Sequence, residues 1–417
     1  MVRNLVRWVV VGLVLAMLPL PLLANDSDAS VALGGVQLTR EPRISMESER
    51  LTISLSKITV EYEFLNESDQ DITTEVAFPI PPYENTERAA GIRDFDDFKL
   101  WVDGKEVKYE VEAKAFLVKT DDHGNKVGKD NDVSAILHRN NIDIPTLGHY
   151  TETHDEKTPD FERLSPEIKK QLSDLGLVDA ENGDSRPEWE VRKTYYWKQT
   201  FPAHKILHVR HEYSPGFGFG GMQVGIFDKS SLEKLIAEDK RFNPNSNSEE
   251  QSHLLSDTCV PSSLQKKIFQ DDSAIWRADP DNGGYIESFW VDYILTTANS
   301  WKTPIKKFEL VVERGQNQRW YDPNWDYASF CWDGPVKQAG AYRYEASATD
   351  FIPKRELKVL FLTMPVADAT SDGTGVSHRS TSRRLYLRLL WVGLLLAVVV
   401  LVVIWWVRRS RGIHSSR

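Results

Sequence analysis

Cysteine is what this sequence has least of: 417 residues contain two, Cys259 and Cys331. With no CxxC pair, four-thiolate zinc sites and dithiol redox motifs are excluded. No G-x-S-x-G string occurs, so there is no nucleophile elbow, and no fixed-period repeat marks a solenoid or propeller. Acidic residues are missing from the first 24 positions and from everything beyond His378. Those two stretches hold ten Arg; without them 41 basic residues face 61 acidic ones between Asn25 and His378, a net charge of −20. So acidic a body repels phosphate backbones, which excludes nucleic acid as a partner.

Long uncharged runs are equally scarce, and the two that exist are at the ends. Residues 389–407 (LLWVGLLLAVVVLVVIWWV) carry no charge, and a helix of that length covers about 28 Å, the thickness of a bilayer's hydrocarbon core. Arg388, Arg408, Arg409 and Arg411 form charged collars, with Trp391, Trp405 and Trp406 at the interfacial level. The first 24 residues place Arg3 and Arg7 before an apolar run and Ala24 before Asn25-Asp-Ser, the pattern of a secretory signal peptide. The expected order is signal peptide 1–24, an exported body, a Ser/Thr/Gly-rich tether 366–388, a transmembrane helix 389–407 and a cytoplasmic tail 408–417. In an oxidising compartment an even pair of cysteines predicts one disulfide, Cys259–Cys331, stabilising by about 4 kcal/mol on a chain-entropy estimate.

Within the body the dominant signal is alternation. Between Ile44 and Phe64 apolar residues alternate with polar ones (Leu51, Ile53, Leu55; then Ile58, Val60, Tyr62, Phe64), and a second run from Ile72 to Phe78 ends at the prolines of 79–82. Residues 98–102 and 107–111 flank Asp103-Gly104, the composition of a tight hairpin turn. Strands are also expected at 189–200, 205–213, 285–296, 308–313, 341–348 and 356–362. One helix is predicted after Ser165 and Pro166, with Ile168, Leu172 and Leu175 on one face and Gly176 ending it. Others are predicted over 230–242 and 261–269, with 242–252 an exposed loop. The fold class is therefore mainly β: two antiparallel, sandwich-like β units with helical insertions, plus the C-terminal transmembrane helix. The boundaries are an N-terminal β domain 25–225 with an insertion at 119–187, a helical connector 226–284 and a C-terminal β unit 285–365.

Chemistry is harder to find. His204, His208 and His211 include an H-x3-H spacing, but strand residues three apart point to opposite faces, so ordinary sheet histidines are expected and no metal site. Asp279-Pro-Asp281-Asn-Gly283-Gly284 lacks the fifth and twelfth ligands of a calcium loop and reads as a turn. The glycines of 216–221 lack the strand-to-helix setting of a nucleotide loop and read as a hairpin tip. Trp320, Tyr321, Trp325, Tyr327, Phe330 and Trp332 crowd thirteen residues, interleaved with Asp322, Asp326 and Asp333. Exposed, such rings stack on sugars or peptides, which makes Trp320, Tyr321, Trp325, Tyr327 and Trp332 the candidate binding residues. No catalytic residues and no cofactor are indicated.

Several stretches together carry a resemblance: Asn25-Asp-Ser with Gly34-Gly35, VAFPIPP (76–82), WKQTFPAHK (197–205), HEYSPGFG (211–218), YILTTANSWKTPIKKFELVVERG (293–315) and SFC (329–331). In this order they resemble a bacterial exported family of unknown function. The resemblance covers most of the exported body and implies no catalytic residues; the aromatic stretch before Ser329 and the C-terminal span lie outside its core pattern. The reading is a single-pass bacterial cell-membrane protein with its body on the periplasmic or extracytoplasmic side. Its expected role is non-enzymatic binding or scaffolding, with an envelope protein or a glycan as partner. An envelope hydrolase or metal-dependent enzyme is the alternative, since exported catalytic residues need not form local motifs.

Overall fold

The alternation of the 41–66 stretch becomes a pair of long antiparallel strands, Glu41–Ile53 and Ile58–Asn66. In the second, Ile58, Val60, Tyr62 and Phe64 are buried while Glu61 and Glu63 face outward. The computed structural model describes residues 27–32, 35–84, 97–119, 128, 130–142, 144, 164–179, 186–228, 248–278, 285–302, 304–315 and 325–364. The expected signal peptide, tether, membrane span and tail, the helix over 230–242 and the turn at 279–284 lie outside them. Among the described residues no helix is long and apolar enough to cross a membrane.

The architecture is mainly β, in several sheets. A nine-stranded sheet runs, in spatial order, through Val336–Gly340, Arg343–Phe351, Ile305–Glu313, Glu41–Ile53, Ile58–Asn66, Ile206–Tyr213, Lys99–Val102 and Lys105–Glu106, with Trp301–Lys302 also pairing Glu41–Ile53. A seven-stranded antiparallel sheet centres on Glu190–Phe201 and Ile72–Pro79. The inward residues of both sheets join one core. There Phe98 stacks on Tyr195 with centroids 4.0 Å apart, and Phe64 meets Trp301 and Phe201.

A four-stranded sheet is ordered Gly218–Gln223, Tyr285–Tyr293, Leu357–Thr363, Tyr327–Phe330. Strand 357–363 is continuously apolar from Val359 to Leu362 because both of its faces are covered there. Val359 and Phe361 enter the large core, and Leu360 and Leu362 enter a second cluster beneath the helices Ser248–Asp257 and Ser262–Ala278. A disulfide-distance pair, Cys259 and Cys331, closes this layer with Cα atoms 4.8 Å apart.

Local expectations fare unevenly. Ser165 accepts from the Ile168 backbone N–H at 3.3 Å and caps helix Pro166–Asp174, and Gly176 takes a φ of 67° beyond its end. Leu172 is buried, but Leu175 is exposed, because the reversal at Gly176 swings Leu177 into the core instead. Asp103 and Gly104 adopt the positive φ angles of a tight hairpin. The returning arm, however, is only Lys105–Glu106; the chain then crosses over and Glu110–Leu117 pairs with strand 190–201. Tyr109 pins that crossing by donating to the Phe98 carbonyl at 2.7 Å.

Three expectations are corrected. The exposed loop expected over 242–252 contains the first residues of helix 248–257, whose Leu255 is buried against the four-stranded sheet despite a Ser/Glu-rich sequence. The glycines of 216–221 are not a hairpin tip. They enter strand Gly218–Gln223, where a Cβ on Gly218 would overlap the Trp290 indole. Most consequentially, strand 305–313 inserts parallel to strand 41–53 in the nine-stranded sheet, so the two expected β units share a sheet and its pairing is not purely antiparallel.

Candidate functional site

The aromatic stretch turns out to be rooted inward. Trp320 and Tyr321 lie outside the described residues. Trp325 is fully buried, tilted on Phe361 and stacked near Tyr344, with the Arg314 guanidinium over its ring and donating to its carbonyl. Trp325 is therefore core, which corrects its expected place on a partner-facing surface: Phe361, Tyr344 and Arg314 close over a ring too large to leave exposed cheaply. Tyr327 is half-buried, its hydroxyl accepting from Lys267 Nζ at 2.7 Å and donating to Asp271 at 2.9 Å. Trp332 lies between Phe308 and Phe351, half-buried. Of the interleaved acids, Asp322 lies outside the described residues, Asp326 accepts from the Met364 N–H, and Asp333 accepts from Arg355 at the surface.

The three histidines are not brought together. His204, with a φ of 54°, sits in an exposed corner 2.9 Å from Asp69. His208 faces outward from strand 206–213 and His211 inward, on opposite faces as the strand period requires. His211 is enclosed by Tyr62, Phe78, Phe98 and Trp197, and burial pushes its pKa down to about 3. Among the described residues no group of three or more His, Cys, Asp or Glu could hold a metal ion.

What the structure does assemble is a groove of about 630 Å³ on the outer face of the nine-stranded sheet. Five neighbouring strands contribute one residue each to a transverse row: Trp101, Arg210, Glu61, Arg50 and Glu309, in register across the ladder. At roughly 4.8 Å per strand the row extends about 19 Å. A parallel row places His208, Glu63, Ser48 and Lys307 beside it. A register shift between Met46 and Ser48 marks a bulge in the central strand, the kind of irregularity that sharpens sheet twist.

The charges of the groove are committed to one another. The Arg210 guanidinium lies 4.8 Å over the Trp101 ring, with Nε 3.9 Å from Glu61 and a second contact to Glu212. Arg50 donates to Glu309 at 2.9 Å, and Lys307 Nζ stands 2.7 Å from the same carboxylate. The hydrogen bond from Lys307, helped by Arg50, holds Glu309 below the usual carboxylate range. Ser48 donates to Glu63 at 3.0 Å, and His208 Nδ1 lies 3.7 Å from it. Here the carboxylate stands between hydroxyl and imidazole, so the imidazole is not placed to take the hydroxyl proton as a serine nucleophile requires. The arrangement suits binding better than group transfer.

None of this was visible as a motif. Glu61 and Glu63 alternate outward with buried neighbours, a legible signal, but the row joins Arg50 to Glu309 across 259 positions. By contrast, the stretches that carried the family resemblance supply core: Val76, Phe78, Trp197, His211, Trp301 and Phe308 are all buried.

Fold and groove define a mainly β protein of several sheets with a surface cleft lined by charges of both signs. Residues 24–360 match the family described as a domain of unknown function, DUF4424, and the chain belongs to that family. No curated protein matches it. Among solved structures, one similar chain is a "putative nutrient binding protein" from Legionella pneumophila, at 15% identity and a TM-score of 0.34, covering 78% of this chain and 68% of that one.

Proposed function

We propose that this protein is a single-pass bacterial envelope protein whose body is exported and binds a polar ligand or partner without chemically altering it. The leader, the uncharged run 389–407 and the paired cysteines support the location. The groove carries the functional part: about 630 Å³ lined by side chains among which Glu61 and Glu309 pair with Arg210, Arg50 and Lys307, with a tryptophan at one end of the row and no base positioned on a nucleophile. A binding surface needs presentation and complementarity, and the Ser48–Glu63–His208 contacts do not set a base on a nucleophile.

The test uses the full chain in detergent. Calorimetry against fractionated envelope solutes, peptides and glycans should find one saturable ligand recovered unchanged, and Trp101→Ala with Arg210→Ala should abolish capture at unchanged thermal midpoint. Capture that survives both substitutions places the ligand elsewhere, and a time-dependent product makes the protein an enzyme.

A further inference from the structure

The pairing of charges in the groove decides which ligands it can take. An anionic polymer would have to separate Arg50 and Lys307 from Glu309, or Arg210 from Glu61 and Glu212. It would also approach a body carrying a net −20 between Asn25 and His378. A cationic ligand meets the converse problem, since each carboxylate of the row already faces a guanidinium or ammonium. A neutral ligand rich in hydroxyls breaks none of these pairs. Each carboxylate keeps spare lone pairs and each guanidinium spare N–H groups, both polarised by the partner they already have.

The spacing points the same way. The row repeats once per strand, roughly every 4.8 Å, which is about the advance of one pyranose ring along an extended glycan chain. At its end Trp101 lines the groove, half-buried with Arg210 over its ring, and an indole is a flat apolar surface of the kind on which the C–H face of a sugar ring packs.

Resting on the reading of the groove as the ligand-binding surface, we propose that it binds a neutral oligosaccharide laid across the strands. One ring packs on Trp101, and hydroxyls of successive rings bridge Arg210, Glu61, Arg50 and Glu309.

The experiment titrates the full chain in detergent with chitohexaose, cellohexaose, maltohexaose and mannohexaose, and with alginate and an unstructured polar peptide as contrasts. At least one neutral hexasaccharide should bind. Trp101→Ala should weaken that binding about tenfold, and Trp101→Phe should recover most of it. Affinity should change less than about twofold between roughly 0.05 and 0.5 M NaCl, because no net charge is neutralised. Binding of alginate alone, falling steeply with salt, overturns the neutral-glycan assignment while leaving the groove as a binding site. So does peptide binding that depends on Trp101. If no probe binds, or if Trp101→Ala leaves a bound sugar untouched, the assignment of this groove itself is overturned.

Discussion

Between the nine- and seven-stranded sheets rings meet rings: Phe98 on Tyr195, Phe64 on Trp301, Phe78 and Trp197 around His211. Beneath the four-stranded sheet the second cluster is mostly aliphatic. Among the described residues its buried members include Met222, Ile226, Leu255, Ile268, Leu360 and Leu362. The first core spans most of the chain and is stabilised by area and by edge-to-face packing. The second is small, and directional bonds cluster at its border. The Cys259–Cys331 link is joined there by Ser329 donating to the Thr258 carbonyl at 2.9 Å and by the contact of Tyr327 with Lys267 and Asp271. Covalent and polar ties thus hold the two helices alongside the apolar area they bury.

The sharpest way to break this contrast is at Trp325, which belongs to the large core. Trp325→Ala should cost about 3–5 kcal/mol in denaturant unfolding, the penalty for emptying a packed aromatic site. A loss under about 1 kcal/mol would return this ring to the surface.

Next in size is the clip on the small core. Replacing Cys259 and Cys331 by Ser should cost about 2–4 kcal/mol. Hydrogen exchange should quicken first in helices 248–257 and 262–278, while strands 58–66 and 206–213 keep their protection. Uniform loss of protection would mean the two cores unfold as one.

The smallest effect is acid sensitivity of the large core. Folded His211 stays neutral down to about pH 3 because burial opposes its charge, whereas unfolded histidine protonates near 6.5. Its contribution is therefore complete above about pH 6.5 and is lost as pH falls toward 3, amounting to about 2 kcal/mol by pH 5. Unfolding followed at several pH values should show this slope in the native chain and a shallower one in His211→Phe. Equal slopes would assign the acid sensitivity to carboxylates instead.

Legibility followed the range of the interaction. Strand 58–66, the Asp103-Gly104 turn and the Ser165 cap were readable because period, turn and cap are set by residues within a few positions. Helix 248–257 was missed because its tertiary contact, Leu255 on the four-stranded sheet, outweighs poor local propensity. Trp325 shows the same failure in another form: an aromatic among aspartates looks exposed until Arg314, Tyr344 and Phe361 close over it. The groove was illegible because its row depends on which strands become neighbours, and the neighbour of Arg50 is Glu309.

The parallel pairing of strand 41–53 with strand 305–313 also sets a schedule. During synthesis the earlier strand emerges with one edge bare, and its partner follows only after some 250 further residues. At roughly 5–20 residues per second that is a wait on the order of 10–50 s. Over that time Leu51 and Ile53 sit on an open edge, the geometry that templates pairing with a neighbouring chain. A truncation before residue 305 leaves that edge without its partner and is expected to aggregate rather than yield a stable half.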